Sequence, residues 1–410
     1  MADEKVQDAV VVGGGPAGSF FAYELAKRGF GVSVFEEHGE VGVPSHCAGH
    51  LSIRSLRARG LYPLPEGIVE NTFSIANFYS PSGRRFSVHL NSPVTCAVNR
   101  ERFDKYLAAK AQQAGAQYSL GSRVQSLVIN AGCAQGINVV QDNHAEEQIP
   151  ARLVVDAEGI SSRILRQAGL TPLRGDRLVY AVQAEVEGAD GMEEHAVEVY
   201  LGREYAPSFY AWLIPRLDGT AKLGLATCQG NPKTFLQRLM QKHPVASGQL
   251  RKAQVKSVAF HAIPLGGPIP KAYADGFLAV GDCASQVKPT TGGGVVFGVT
   301  CARIAAEVAS GALKKGDVSE GTLRMYQRLF MEALGFDLGV MLRARRALDK
   351  FSDRKLDSII RFAANVGLSD ALRDVDEIDL QGRTLLTVLR KPAAFASLAY
   401  LLAAYLFAGV

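Results

Sequence analysis

The chain has 410 residues, of which 47% are hydrophobic and 21% charged, with a formal net charge of +5. That length exceeds what one ordinary core serves, so two intertwined domains plus an appendage are expected, and the composition excludes intrinsic disorder. The basic residues are dispersed without a long Lys/Arg run, which argues against a nucleic-acid partner.

Residues 8–12 form a short apolar run that closes on glycines. Residues 17–28 carry helical periodicity through Phe20, Phe21, Leu25 and Ala26 and stop at Gly29, and residues 31–35 read as a second strand. Together they make a strand–helix–strand opening. Residues 100–114 read as a helix closed by Gly115, and residues 152–155 as a buried strand ending at Asp156. Over residues 178–265 the pattern alternates, predicting an antiparallel sheet with turns at Gly188–Gly191 and Leu217–Gly219. Residues 276–281 return to a buried strand, and a helix over 292–309 follows a triple glycine. From about residue 318 the pattern is helical, broken near Gly367, Gly382 and Pro392.

The six cysteines, Cys47, Cys96, Cys133, Cys228, Cys283 and Cys301, form no CxxC pair. Their spacing suits neither a zinc site nor a small disulfide scaffold. His46 and His50 flank Cys47, but Pro44 and Gly49 argue for a loop rather than a helix, so no metal is expected. The acidic N-terminus lacks the basic and apolar regions of a signal peptide, and a reducing cytoplasm is the expected compartment. From Pro392 to Val410 no side chain is charged, and Arg390 and Lys391 stand just before this stretch. A buried terminal helix, a helix lying in the membrane interface and a short span all fit it. Arg343, Arg345 and Arg346 read either as a solvated helix face or as a contact for a phosphate head group.

The first chemical motif is Gly13-x-Gly15-x-x-Gly18, set between strand and helix. Glycines allow a tight turn and close approach of backbone to phosphate, and the helix N-terminus adds free N–H groups and a positive dipole end. Glu36 ends the second strand, where a carboxylate can bind the hydroxyls of an adenosine ribose. The second motif spans residues 276–298: a strand, Gly281-Asp282, a turn at Pro289, then Gly292-Gly293-Gly294 and a helix. Asp282 is placed to accept from a ribityl hydroxyl, and the glycines let backbone amides approach a flavin edge. A nicotinamide dehydrogenase has no use for this arrangement, so the cofactor is expected to be FAD.

This pairing of motifs resembles the FAD-dependent oxidoreductases similar to aromatic hydroxylases. Residues 154–163, VVDAEGISSR, resemble that group's middle motif, with Asp156, Gly159 and Arg163 in matching places, and Arg100 matches an arginine that reaches the cofactor. Within the group, the chain most resembles the geranylgeranyl reductases that saturate archaeal-type membrane lipids. Residues 46–50 (HCAGH), 207–215 (PSFYAWLIP) and 288–294 (KPTTGGG) carry that resemblance, with Ile214 where the family usually has Phe.

The expected fold class is α/β, α+β overall. A Rossmann-like FAD-binding domain would cover 1–175 and 266–315, with substrate-domain excursions near 60–98. An inserted antiparallel-sheet substrate domain would cover 176–265, and a helical C-terminal region 316–410. The resemblance implies FAD contacts from Gly13, Gly15, Ala17, Gly18, Glu36, Cys47, Ala48, His50, Arg100, Val124, Asp282, Gly293, Gly294 and Val295. It implies a substrate cavity of Tyr210, Trp212, Pro215 and Pro289, with Cys47, Tyr210 and Trp212 as the catalytic candidates. Cys47 reads as a proton donor, as a gate for the flavin, or as a small packing residue. Tyr210 and Trp212 read as an aromatic wall or as ordinary sheet core.

The implied reaction saturates the double bonds of an isoprenoid lipid, with hydride from reduced flavin and an external electron donor. Reduced nicotinamide, ferredoxin and deazaflavin all remain open as that donor. Location is expected at the cytoplasmic membrane surface. Two alternatives stand beside this reading: a flavin monooxygenase or halogenase, and a membrane-associated electron-transfer flavoprotein. The halogenase reading needs an early lysine, and the chain has none between Lys27 and Lys105. The electron-transfer reading finds no cluster-binding cysteines.

Overall fold

Short β-branched runs build the first sheet. In the computed structural model, which describes residues 6–141 and 145–406, Phe277–Ala279, Glu147–Asp156, Gln7–Val12, Val32–Phe35 and Gln117–Ser119 lie side by side as parallel strands. Ala9, Val10, Val11, Leu153, Val154, Val155, Phe277, Leu278 and Ala279 are fully buried. Such continuous apolar runs are what a parallel sheet covered on both faces requires. The helix Pro16–Ala26 packs against the helices Arg100–Gln113 and Val295–Lys315. An antiparallel hairpin, Ser122–Asn130 with Cys133–Gln141, adds to the start of Glu147–Asp156.

These elements form one unit, made of the chain up to Ser45, Arg100–Arg177 and Pro264–Phe336. The second unit comprises His46–Asn99, Leu178–Ile263 and the chain from Asp337. The excursion out of the cofactor domain therefore begins at His46. The helical region 316–410 forms no third unit, because the helix Glu320–Leu348 contributes residues to both.

The second unit is built on a seven-stranded sheet in the order Gln254–Pro264, Leu178–Glu187, Thr220–Thr227, Tyr210–Pro215, Ala196–Leu201, Ile75–Tyr79, Arg85–His89. The expected antiparallel pairing runs through most of this sheet, and the excursion before Arg100 adds to it. Ala196–Leu201 pairs with Ile75–Tyr79 in parallel, and two strands come from before Arg100. Hairpin-linked neighbours must run antiparallel, but a strand recruited from a distant stretch is under no such constraint. The alternating stretch is also interrupted by the helix Pro232–Lys242, which Asn231 caps through Lys233 N–H. One sheet face packs Val182, Leu213, Leu223 and Leu225 against Leu236 and Leu239 of that helix. The other face meets a small three-stranded sheet, His50–Ser52, Thr95–Val98 and Val69–Phe73, through Phe73, Ala97, Val197 and Ile214.

The helix Pro392–Leu406 is neither wholly buried nor free. Ala404 packs with Phe351 and Leu356, and Tyr400 stacks on Phe362 with ring centroids 4.2 Å apart. Phe395 and Leu402 on the same helix are 65% and 54% exposed. Its 15 residues rise about 22 Å, short of the roughly 30 Å hydrocarbon core of a bilayer. Residues 407–410 of the apolar tail lie outside the described residues. Among the described residues, Val295–Lys315 is the one helix long and apolar enough to cross a membrane, and 72% of its apolar stretch is buried inside the fold. Gln381–Val388 and Pro392–Tyr405 meet that test only as a pair, and the pair is bent by 119°.

Candidate active site

In the first unit the opening strand turns at Gly13, whose φ of +98° favours glycine. A Cβ on Gly13 would stand 2.5 Å from the Ala157 carbonyl oxygen, and one on Gly18 would stand 2.1 Å from that of Gly13. Both positions therefore exclude a side chain. Gly15 differs, since a Cβ there would meet nothing within 4 Å. It leaves open space at the N-terminus of the helix Pro16–Ala26, where backbone amides face outward. Pro16 sits at the first helical position, where its missing N–H costs nothing. Glu36 accepts from the Gly14 N–H at 2.7 Å through Oε2 and from the His38 N–H at 3.1 Å through Oε1. Its carboxylate therefore braces the turn from the end of the second strand.

The distant second motif closes onto the same turn. Ideal Cβ positions on Gly281 and Gly298 fall 3.0 and 3.4 Å from the Ala17 Cβ. Ala17 is thus the point at which the first helix meets the Gly281–Ala284 turn and the helix Val295–Lys315. A Cβ on Gly294 would lie 2.7 Å from Asp282 Oδ1, and one on Gly293 would lie 2.6 Å from Lys288 Cε. The turn is closed by Lys288 N–H to Gly293 O at 3.2 Å and Gly292 N–H to Lys288 O at 2.9 Å. Val295 then starts the helix. The Gly281 N–H donates to Gln286 at 2.8 Å, and Gln286 donates to the Tyr326 hydroxyl at 2.6 Å.

In the middle motif, burial first and then the charge of Glu158 push the Asp156 carboxyl well above the usual carboxylate range. Arg163 donates to the carbonyls of Val124 and Gln125. Arg100 grips Asp104 with both arms of its fork, each at 2.9 Å. Two glycine cradles that exclude side chains, one beside a braced acid and one beside Asp282, fit the pyrophosphate and flavin ends of FAD. The residues that would hold it in this unit are Gly13, Gly15, Ala17, Gly18, Glu36, Asp282, Gly293, Gly294 and Val295.

Cys47, Ala48 and His50 belong to the second unit. Cys47 is half-buried and its sulfur accepts from the Gly49 N–H at 3.5 Å. The His50 ring meets Thr95 Oγ1 at 2.7 Å, and His46 stacks on His261 at 4.0 Å. The two imidazoles thus engage separate partners. Ala48 packs into the same apolar cluster as Trp212 and Ile214.

Along Tyr210–Pro215 the pleat sends Tyr210, Trp212 and Ile214 to one face and Ala211, Leu213 and Pro215 to the other. Tyr210 and Trp212 are half-buried, with ring centroids 6.0 Å apart and edge-on. Phe209 stacks on Tyr210 at 4.4 Å, and burial pushes the Tyr210 phenol well above its ordinary range. Pro215 falls on the face opposite the aromatic pair because strand parity puts it there. Pro289 is buried in the first unit's glycine turn, whereas the aromatic pair belongs to the second unit. The arginine triplet divides: Arg343 and Arg346 are exposed, whereas Arg345 is buried, stacks 5.6 Å over Phe209 and pairs with Asp349 at 2.9 Å.

A buried charge cluster on this face went unread in the sequence. Lys222, 4% exposed, meets Glu70 at 2.5 Å and donates to the Val98 carbonyl at 2.8 Å. Arg216 reaches Glu70 at 3.3 Å and Glu185 at 3.2 Å. The available signal was a lysine inside the otherwise apolar run Ala221–Ala226.

The class of protein is thereby defined. Residues 6–328 match the FAD binding domain family, and the chain is an FAD-dependent oxidoreductase. Over 392 residues it is 33% identical to digeranylgeranylglycerophospholipid reductase 2 of Methanopyrus kandleri, covering 94% of this chain and 97% of that one. A geranylgeranyl bacteriochlorophyll reductase-like structure from Thermoplasma acidophilum matches with a TM-score of 0.86 at 26% identity, covering 97% of this chain and 99% of that one. The chain belongs to the digeranylgeranylglycerophospholipid reductase family. A flavin-dependent brominase, with a TM-score of 0.67, 18% identity and coverage of 97% and 93%, shares the fold alone.

Proposed function

We propose that this enzyme saturates the double bonds of geranylgeranyl chains carried on a glycerophospholipid or on a diphosphate. The observation that carries the reading is the half-buried Tyr210–Trp212 face, with the Cys47–Gly49 loop packed into its cluster through Ala48. When bound and reduced, FAD supplies the hydride. The chain's own residues supply the rest. The glycine turns and Glu36 orient the cofactor. Tyr210 and Trp212 offer a flat apolar wall along which an isoprenoid chain lies, and their electron-rich faces favour transient positive charge on carbon. Tyr210 stays a neutral phenol because burial pushes its proton affinity up from an already high ordinary value. Cys47 holds the proton at its sulfur. An isolated alkene is unactivated, so the placement of that proton matters more than its acidity.

The electrons come from an external reductant, and reduced nicotinamide, ferredoxin and deazaflavin are the classes to be compared. The enzyme works at a membrane surface, where its lipid substrate resides. The deciding experiment incubates reduced holoenzyme with a geranylgeranylated glycerophospholipid and follows the lipid by mass spectrometry. A gain of two hydrogens per double bond is expected. No gain with that lipid or with geranylgeranyl diphosphate overturns the proposal.

A further inference from the structure

We propose that Lys222, held by Glu70, is a positioning residue for Cys47: it anchors the Cys47–Gly49 loop through Val98 and places a positive charge near the thiol. The connection is continuous within the second unit. The Lys222 ammonium donates to the Val98 carbonyl at 2.8 Å. The Val98 N–H donates to the Gly49 carbonyl at 2.9 Å. The Gly49 N–H donates to the Cys47 sulfur at 3.5 Å. Gly49 takes a φ of +67°, which glycine adopts freely, so this turn has little intrinsic restraint beyond such anchors.

A lysine 4% exposed inside a sheet is costly unless it is paired, and nothing in strand packing calls for one here. Glu70 pairs with it at 2.5 Å. Burial lowers the ammonium's affinity for its proton, while the pairing with Glu70 opposes that and keeps the charge beside the Val98 anchor of the loop. Arg216 and Glu185 complete the cluster, giving two positive and two negative groups. Stability alone does not call for such a cluster, since well-packed apolar groups of similar volume serve at least as well. A fixed charge and a fixed loop are what the ions add.

The role in turnover rests on Cys47 carrying the proton. On that reading, transfer from the Cys47 S–H to substrate carbon leaves a thiolate. The hydride that completes the saturation would come from reduced FAD, which is oxidised in the step, and the Lys222 ammonium stabilises the thiolate until solvent returns a proton.

The test uses FAD-loaded protein. Lys222→Met alone strands Glu70 and can unfold the chain, so the main variant is Lys222→Met/Glu70→Gln, which leaves the Arg216–Glu185 pair balanced. Alkylation of Cys47 by iodoacetamide at neutral pH is read by peptide mass spectrometry. Loss of the Lys222 ammonium, together with its counter-charge and its bond to the Val98 carbonyl, is expected to slow it roughly tenfold. In the same variant kcat falls while KM and FAD content hold, and Lys222→Arg, which keeps the charge, stays within about threefold of the parent rate of alkylation. An unchanged alkylation rate in the double variant overturns the proposal, as does equal slowing in Lys222→Arg. Alkylation reads the thiol without turnover, so it stands even if Cys47→Ala proves fully active, which would sink only the proton-donor reading.

Discussion

Gly224 lies directly under the indole of Trp212: a Cβ on Gly224 would stand 2.4 Å from Cζ2 and 2.6 Å from Cε2. The two residues are a registered cross-strand pair, so the ring folds over its partner's backbone instead of standing off the sheet. Gly224→Ala forces the indole to move, because the alternative is the Val182 carbonyl at 2.8 Å. The expected stability cost is about 1–3 kcal/mol. The larger effect falls on lipid turnover, which drops at least tenfold or so because the wall no longer holds the chain in register. FAD content is expected to match the parent, since Gly224 is not among the residues assigned to the cofactor. Full activity of Gly224→Ala on prenyl lipid argues that Trp212 is only sheet packing.

Gly15 separates folding from cofactor binding. Its φ of −67° suits any residue, and a Cβ there meets nothing in the protein within 4 Å. Gly15→Ala is therefore expected to melt like the parent as apoprotein. The new methyl occupies the space that the pyrophosphate needs, so FAD affinity falls at least about tenfold, close to 1.4 kcal/mol. Flavin titration with a parallel thermal scan checks both halves. Parent-like affinity would move the phosphate away from this helix N-terminus.

The first strand, turn and helix were legible because glycine spacing and apolar periodicity are local signals, and both are satisfied by backbone geometry between Gln7 and Ala26. The second motif was legible for the same reason. That Ala17 seats against Gly281 and Gly298 was not, since nothing in either segment marks the other as its neighbour. The parallel entry of Ile75–Tyr79 beside Ala196–Leu201 was hidden because strand patterns show which residues face inward and not which strand lies alongside. That Pro215 falls on the face opposite Trp212 follows from parity along Tyr210–Pro215 alone. Lys222 and Glu70 were invisible as a pair, because their meeting depends on how the small sheet lies over the large one.

Cys47→Ala isolates the proton. The side chain is half-buried in a loop whose shape is set by backbone bonds at Gly49 and Val98, so removing the sulfur leaves the fold intact. FAD content is expected to match the parent, while steady-state reduction of prenyl lipid falls by about two orders of magnitude, the usual contribution of one positioned proton donor. Cys47→Ser, a far weaker acid in the same place, is expected to restore little. Parent-like turnover in Cys47→Ala removes the residue from the mechanism.

Phe395 and Leu402 stand exposed on a helix that is held through Ala404 by Phe351 and Leu356 and through Tyr400 by Phe362. Leu386, 57% exposed, adds to the apolar surface of this C-terminal region, and Arg390 and Lys391 flank it. Burying each large side chain in a bilayer interface gains about 2 kcal/mol, and the cations favour anionic lipid. Phe395→Ser/Leu402→Ser is therefore expected to reduce binding to anionic vesicles by more than about tenfold in a flotation assay. Thermal stability changes little, because neither residue is buried in the fold. Equal flotation of parent and variant would place the membrane contact elsewhere.

His243 gives the second unit an acid sensitivity of definite sign. The ring is fully buried between Tyr200 and Tyr205, each 4.9 Å away and edge-on. Its Nδ1 accepts from the N–H groups of Val245 and Ala246, each at 3.2 Å, so the proton sits on Nε2 and is donated to the Ser80 carbonyl at 3.2 Å. A second proton would have to displace those two donors. Burial accordingly lowers the imidazole from 6.5 to about 4. A lowered histidine binds its proton more tightly when unfolded. Its contribution is therefore intact above about pH 6.5 and is lost as pH falls towards about 4, by roughly 3 kcal/mol in all. Denaturant unfolding of the parent should show about 2 kcal/mol of this loss between about pH 7 and pH 5. His243→Gln carries no titrating ring, so the difference between the two proteins isolates this residue from the carboxylates that titrate nearby. The variant starts less stable near neutrality, and the gap to the parent narrows on acidification. A gap that stays constant with pH would mean that His243 is charged or solvated in the folded protein.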